Sequence, residues 1–97
     1  TMLKSPMHPG EVLEELYLNP LSMSAGGLAK RLLVPRTRIE RIVKGETSVS
    51  PDTALRLARF FSTSPEYWMN MQTAYDLSVQ AETVAPALSK IEQIQMA

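Results

Sequence analysis

From residue 36 to residue 44 the chain reads Arg-Thr-Arg-Ile-Glu-Arg-Ile-Val-Lys. Ile39 and Ile42, three apart, fix the side of a short helix that must turn inward. At about 100° per residue the other side carries Arg36, Thr37, Glu40, Arg41 and Lys44 as one patch, with Arg38 at its flank. A guanidinium pairs bidentately with guanine O6 and N7, a threonine methyl touches that of thymine, and an ammonium neutralises a phosphate. The chemistry open to this patch is therefore non-covalent: Arg36, Thr37, Arg38 and Arg41 reading base edges in a DNA major groove. The competing use is a solvated face in which Glu40 pairs with Arg36 or Lys44, worth a few tenths of a kcal/mol per pair. One acid does not neutralise four bases, which favours the groove.

No other set of residues supports a reaction. His8 stands alone before Pro9-Gly10 and is read as a helix-entry residue; a metal site needs several ligands, and none is assigned. Glu14 and Glu15 are adjacent, so on a helix they point about 100° apart instead of converging on a substrate. Gly26-Gly27 lacks the lysine and spacing of a phosphate loop. The chain contains no cysteine, which removes thiolate sites and fits a reducing cytoplasm. Neither an enzymatic activity nor a cofactor is expected. Trp68, Tyr67, Met69 and Met71 recur at helical spacing and are read as core and dimer contact in preference to a ligand groove.

Holding the basic patch in place requires neighbouring helices, and the periodicity predicts an all-α fold of five. The first spans about 11–18, with Val12, Leu13, Leu16 and Tyr17 inward, and ends at Asn19-Pro20. Ser24 caps a second over 24–33, with Leu28, Ala29, Leu32 and Leu33 inward. Val34-Pro35 breaks the chain before the third, 36–44, which closes at Gly45 in a left-handed position. Ser50-Pro51-Asp52 and Ser64-Pro65-Glu66 are parallel openings: serine caps, proline takes the first helical position, and an acid meets the positive end of the dipole. They start a fourth helix, 51–61, burying Ala54, Leu55, Leu57, Ala58 and Phe61, and a fifth, 65–79, with Trp68, Met71 and Tyr75 on one stripe. Asp52 and Arg56, four apart, should pair; Arg59 is read as supporting the fold. Residues 8–79 thus form the domain. The 80–97 extension is either a short helix capped by Thr83, carrying Leu88, Ile91 and Ile94, or a tail. Small Ala29, the short break, and inward Ile39 and Ile42 have the spacing of a helix-turn-helix.

Composition agrees with one small domain. The 97 residues are 44% hydrophobic and 21% charged, as in ordinary globular chains. No apolar run approaches the ~20 residues of a membrane span. The opening TMLKSPM lacks the apolar stretch of a secretory signal, and Thr1 ahead of Met2 reads as an expression leftover; no membrane partner and a cytoplasmic location are expected. The formal net charge is zero, yet residues 30–59 hold eight bases and three acids, and the rest two bases and seven acids. Such asymmetry points to two surfaces with different partners.

The segments MHPGEVLEEL and SAGGLAKRLLVPRTRIERIVKGETSVSPDTALRLARFFSTSPEYWMNMQTAYDL resemble HigA-type antitoxins of bacterial toxin–antitoxin modules, within the phage-repressor-like helix-turn-helix proteins. The resemblance covers about residues 7–79. It implies a homodimer that binds double-stranded DNA at a palindromic operator in its own promoter and neutralises an HigB-like, ribosome-associated mRNA nuclease. It also implies base reading by Arg36, Thr37 and Arg41, and phosphate contacts by Lys44 and the 45–48 backbone, where Thr47 lies. Ala25 departs from the pattern, which often has a phosphate-clamping glutamine there; Ser24 and bare backbone N–H groups remain for that phosphate. Glu11, Glu14 and Glu15 are the expected toxin-facing surface, since RNA-cleaving toxins of this kind tend to be basic. Two alternatives stand beside this reading: a repressor without a toxin, and a helical protein-binding adaptor that no longer binds DNA.

Overall fold

A computed structural model describes residues 6–96; all but the last two residues of the TMLKSPM opening, together with Ala97 of the expected extension, lie outside the described residues. Five helices and no strand are present among them. α1 opens as Pro9–Val12 and runs on as a π-helical stretch, Leu13–Leu18; α2 is Ala25–Leu32, α3 Arg36–Val43, α4 Pro51–Phe61 and α5 Pro65–Leu88. Ser24, Ser50 and Ser64 accept hydrogen bonds from the N–H groups of Gly27, Thr53 and Tyr67, so the three expected serine caps are made. Gly45 takes the left-handed conformation at φ 76°.

α2 and α3 pack against each other as a helix-turn-helix, α1 crosses α3 and α5, and α4 lies along α5. Leu13, Leu28, Ala29, Ile39, Ile42, Ala54, Leu57 and Trp68 form the centre of the core. Trp68 is fully buried and donates its indole N–H to Thr63 Oγ1 at 2.9 Å, while Tyr17, Phe61 and Tyr67 stack around it. Burial and a hydrogen bond donated to the Tyr67 hydroxyl push the Tyr17 phenol up to about 12.

Three expected core leucines are exposed, each for a geometric reason. Leu16 is 64% exposed because the π-helical turn is wider than an α-turn. After Val12 and Leu13, the residues returning to the core are Tyr17 and Leu18, one place later than α-helical spacing gives. Leu33 is 83% exposed at φ 64°, where the chain reverses after α2: Val34 N–H bonds Ala29 O and Leu33 N–H bonds Lys30 O. Leu55 is 59% exposed because 100° steps carry it more than about 90° from the centre of the face that Ala54, Leu57 and Ala58 bury.

The end of the chain also differs from expectation. α5 does not stop near residue 79; it continues without a break through Leu88, and the chain leaves the helix only after it. Thr83 is not a cap but an interior residue, its hydroxyl reaching Val79 O at 3.4 Å. Residues 80–83, Gln-Ala-Glu-Thr, contain no helix breaker, so the helix persists where the apolar signal fades.

Candidate nucleic-acid interface

Ile39 and Ile42, both buried, anchor α3 and leave its other side as a ridge. On that ridge Thr37, Arg41 and Lys44 are exposed, and none makes an ion pair or side-chain hydrogen bond among the described residues. Arg36 is exposed too, but its Nε lies 3.3 Å from Glu40 Oε2. Its aliphatic stem runs back over α2, so close to Gly26 that a Cβ there would meet Arg36 Cδ at 2.9 Å. This close passage is one physical reason for a glycine that costs about 1 kcal/mol of helix propensity.

Arg38 sits differently from its neighbours. Its guanidinium is bonded to Asp52 at the start of α4. Asp52 also takes Arg56 Nε at 3.0 Å, which makes the expected pair, and Arg56 in turn donates to Leu32 O at 2.8 Å. Hydrogen bonds from Arg38 first, then Arg56, hold the Asp52 carboxyl below the usual carboxylate range. One acid thus ties α3, α4 and the C-terminal end of α2 together. The sequence showed the Asp52–Arg56 spacing; Arg38 is fourteen residues from Asp52, beyond any local rule.

Troughs flank the ridge on both sides. A cavity of about 680 Å³ lies between α3 and the opening of α2, lined by Ser24, Gly26, Gly27, Lys30, Arg36 and Glu40 among others. The Ser24 hydroxyl oxygen accepts from Gly27 N–H at 2.9 Å and keeps its own proton to donate. A second, of about 380 Å³, has Thr37, Arg38, Arg41, Thr47, Ser48 and Ser50 on its walls. The loop bearing Thr47 is held from behind: buried Gln72 of α5 accepts from Val49 N–H at 2.8 Å and donates to Asp76 Oδ1 at 2.9 Å. Neither Gln72 nor its role carried a signal in the sequence, because a single glutamine on a helix has no pattern. A ridge with unpaired bases between two polar troughs suits base edges along the crest and phosphates along the sides.

The HPGE segment proves to be a joint. His8 is buried and caps α1 by accepting Gly10 N–H on Nδ1 at 2.8 Å, with Tyr75 of α5 edge-on at 4.9 Å. A Cβ on Gly10 would collide with the Ile42 carbonyl oxygen, so only glycine lets α1 rest on the end of α3. Glu11, Glu14 and Glu15 all face outward on α1, with exposed Leu16 among them. No group of acids and histidines among the described residues could hold a metal ion, and no helix there is long and apolar enough to cross a membrane.

Residues 14–68 match the helix-turn-helix family model. The virulence-associated protein I of Dichelobacter nodosus is 51% identical over 73 residues, 75% of this chain and 68% of that protein. An addiction-module antidote protein of the HigA family from Coxiella burnetii superposes with a TM-score of 0.87 at 42% identity, covering 94% of this chain and 99% of its own. The Pseudomonas aeruginosa antitoxin HigA, solved with the higBA promoter, gives 0.89 at 34% identity, over 93% and 99% of the two chains.

Proposed function

This chain belongs to the helix-turn-helix family, among relatives of the HigA antitoxin type, and from that premise we propose that it is a DNA-binding antitoxin that represses its own operon. The observation that carries the proposal is the α3 ridge, where Thr37, Arg41 and Lys44 stand exposed with no side-chain partner among the described residues. Two copies on a palindromic operator present two such ridges, about 34 Å apart, to successive major grooves. Arg36, Thr37 and Arg41 read bases, Arg36 after release from its exposed pair with Glu40. Arg38 works at the flank, restrained by Asp52. Ser24, Lys44 and Thr47 hold phosphates at the two sides of the ridge.

The second activity is neutralisation of an HigB-like, mRNA-cleaving toxin. Glu11, Glu14, Glu15 and exposed Leu16 on α1 supply acids with an apolar centre, which fits a basic partner. Footprinting on the protein's own promoter tests the first activity: a two-fold symmetric protected site is expected, with log K falling by about 0.9 per neutralised phosphate as log salt rises. Affinity that is indifferent to salt, or equal on promoter and random DNA, would overturn it. For the second activity, the neighbouring reading frame should encode a small basic protein that co-purifies with this chain.

A further inference from the structure

Between the C-terminal end of α2 and the outer side of α4 runs a trough of about 420 Å³. Two leucines stand out from its walls, Leu33 with 83% of its surface exposed and Leu55 with 59%. Leu33 does so from a left-handed backbone position, φ 64°, where glycine or asparagine is the locally favoured residue. Neither backbone preference nor core packing asks for a leucine there. Phe60 lines the same trough, with the Arg31 guanidinium 5.0 Å from the centre of its ring. Arg59 follows Leu55 by about one helical turn, is exposed, and makes no ion pair among the described residues. Asp52 is the one acid on the walls among the described residues, and Arg38 and Arg56 already occupy it. The result is an apolar strip with a cationic rim.

We propose that this trough docks an acidic amphipathic helix of another protein. Charge and shape choose that occupant. Carboxylates find Arg31 and Arg59 along the rim, whereas a basic partner, such as the toxin proposed for α1, meets uncompensated guanidinium groups. The Arg31 side chain rests across Phe60, which leaves its guanidinium N–H groups free to donate to a carboxylate. Leu33 and Leu55 protrude, so they need recesses to enter. A helix offers such recesses between side chains at i, i+3, i+4 and i+7, and an apolar stripe there covers both leucines. Duplex DNA would satisfy the arginines with phosphates, yet it would leave the leucines against a charged, hydrated backbone. Arg31, Leu33, Leu55, Arg59 and Phe60 carry no part of the operator or toxin readings, so this surface lies beyond both.

Fluorescence anisotropy on the full chain tests it with a labelled peptide of about fourteen residues, built of glutamate, alanine and leucine, with the leucines at i, i+3, i+4 and i+7. Two control peptides carry lysine for every glutamate, or serine for every leucine. The acidic leucine peptide should bind, more weakly as salt rises, and neither control should. Leu55→Ser and Arg59→Gln should each weaken binding about tenfold. Far-UV circular dichroism should not change, because both side chains are exposed. The promoter affinity of both variants should equal that of the unaltered protein. No binding by the unaltered protein, or equal binding by either control peptide, overturns the proposal. So does binding that is lost in Arg41→Ala/Lys44→Ala but kept in Arg59→Gln, which places the peptide on the α3 ridge. A promoter salt slope that falls by about 0.9 in Arg59→Gln makes the trough a phosphate contact and overturns it as well. Self-association beyond the dimer in sedimentation velocity, abolished by Leu55→Ser, would make a second copy the occupant and end the reading.

Discussion

Arg41 and Lys44 lie on the same ridge, and the proposed function gives them different work. Arg41 stands within α3 and Lys44 at its C-terminal cap beside the 45–48 loop, so base reading is proposed for the first and phosphate contact for the second. Arg41→Ala should cost about 1–3 kcal/mol of operator binding and relax preference at one base pair, whereas Lys44→Ala should weaken all sequences alike and lower the salt slope by about one. Mobility shifts with single-base operator variants over a salt series separate the two. Equal losses for Arg41→Ala on operator and random DNA would remove its base-reading role. Leu33 shows strain at the same scale. It holds a left-handed conformation that costs a non-glycine residue about 1–2 kcal/mol, while its exposed side chain contributes little packing. Leu33→Gly should therefore raise the thermal midpoint, by up to about 1 kcal/mol of stability after the entropy cost of glycine. A fall in the midpoint would show that Leu33 is covered in the native assembly.

Helices in this molecule are joined by a few tight contacts, and those contacts govern how α3 is presented. Gly10 sits against the Ile42 carbonyl, with no space for a methyl group between the backbones. Gly10→Ala should cost several kcal/mol or prevent folding, read by chemical denaturation, since neither backbone can yield as a flexible side chain would. Gly26 is the instructive contrast: the atom facing it belongs to the Arg36 side chain, which can swing away. The Arg38–Asp52–Arg56 link ties α3 to α4 electrostatically. The folded Asp52 carboxyl is held below its ordinary value of 3.8, so the link stabilises the fold above that pH. Its contribution is lost as pH falls below 3.8 through the lowered folded value. The thermal midpoint of the unaltered protein should therefore drop more steeply on acidification below about pH 4 than that of Asp52→Asn.

Across the whole molecule, zero net charge conceals a basic helix-turn-helix and an acidic remainder. Reversing Glu11, Glu14 and Glu15 to lysine should weaken toxin binding at least about tenfold and raise affinity for random DNA, both measurable by titration. Unchanged toxin affinity would remove α1 from that role. Much of this organisation was legible before any coordinates. Ser24, Ser50, Ser64 and Gly45 act on backbone groups within a few residues, so local chemistry sufficed to place their caps and turns. The inward pair Ile39 and Ile42 likewise set which bases of α3 face out. Contacts made by residues distant in the chain had no such signature. Asp52 gathers Arg38 from another helix, Gln72 anchors Val49 from twenty-three residues away, and Gly10 is demanded by a carbonyl it meets only after folding. The π-helical winding of α1 belongs to that second group, because helix phase depends on packing that no short stretch of side chains encodes, whereas the reach of α5 past residue 80 follows from a run without helix breakers that a fading apolar signal hid.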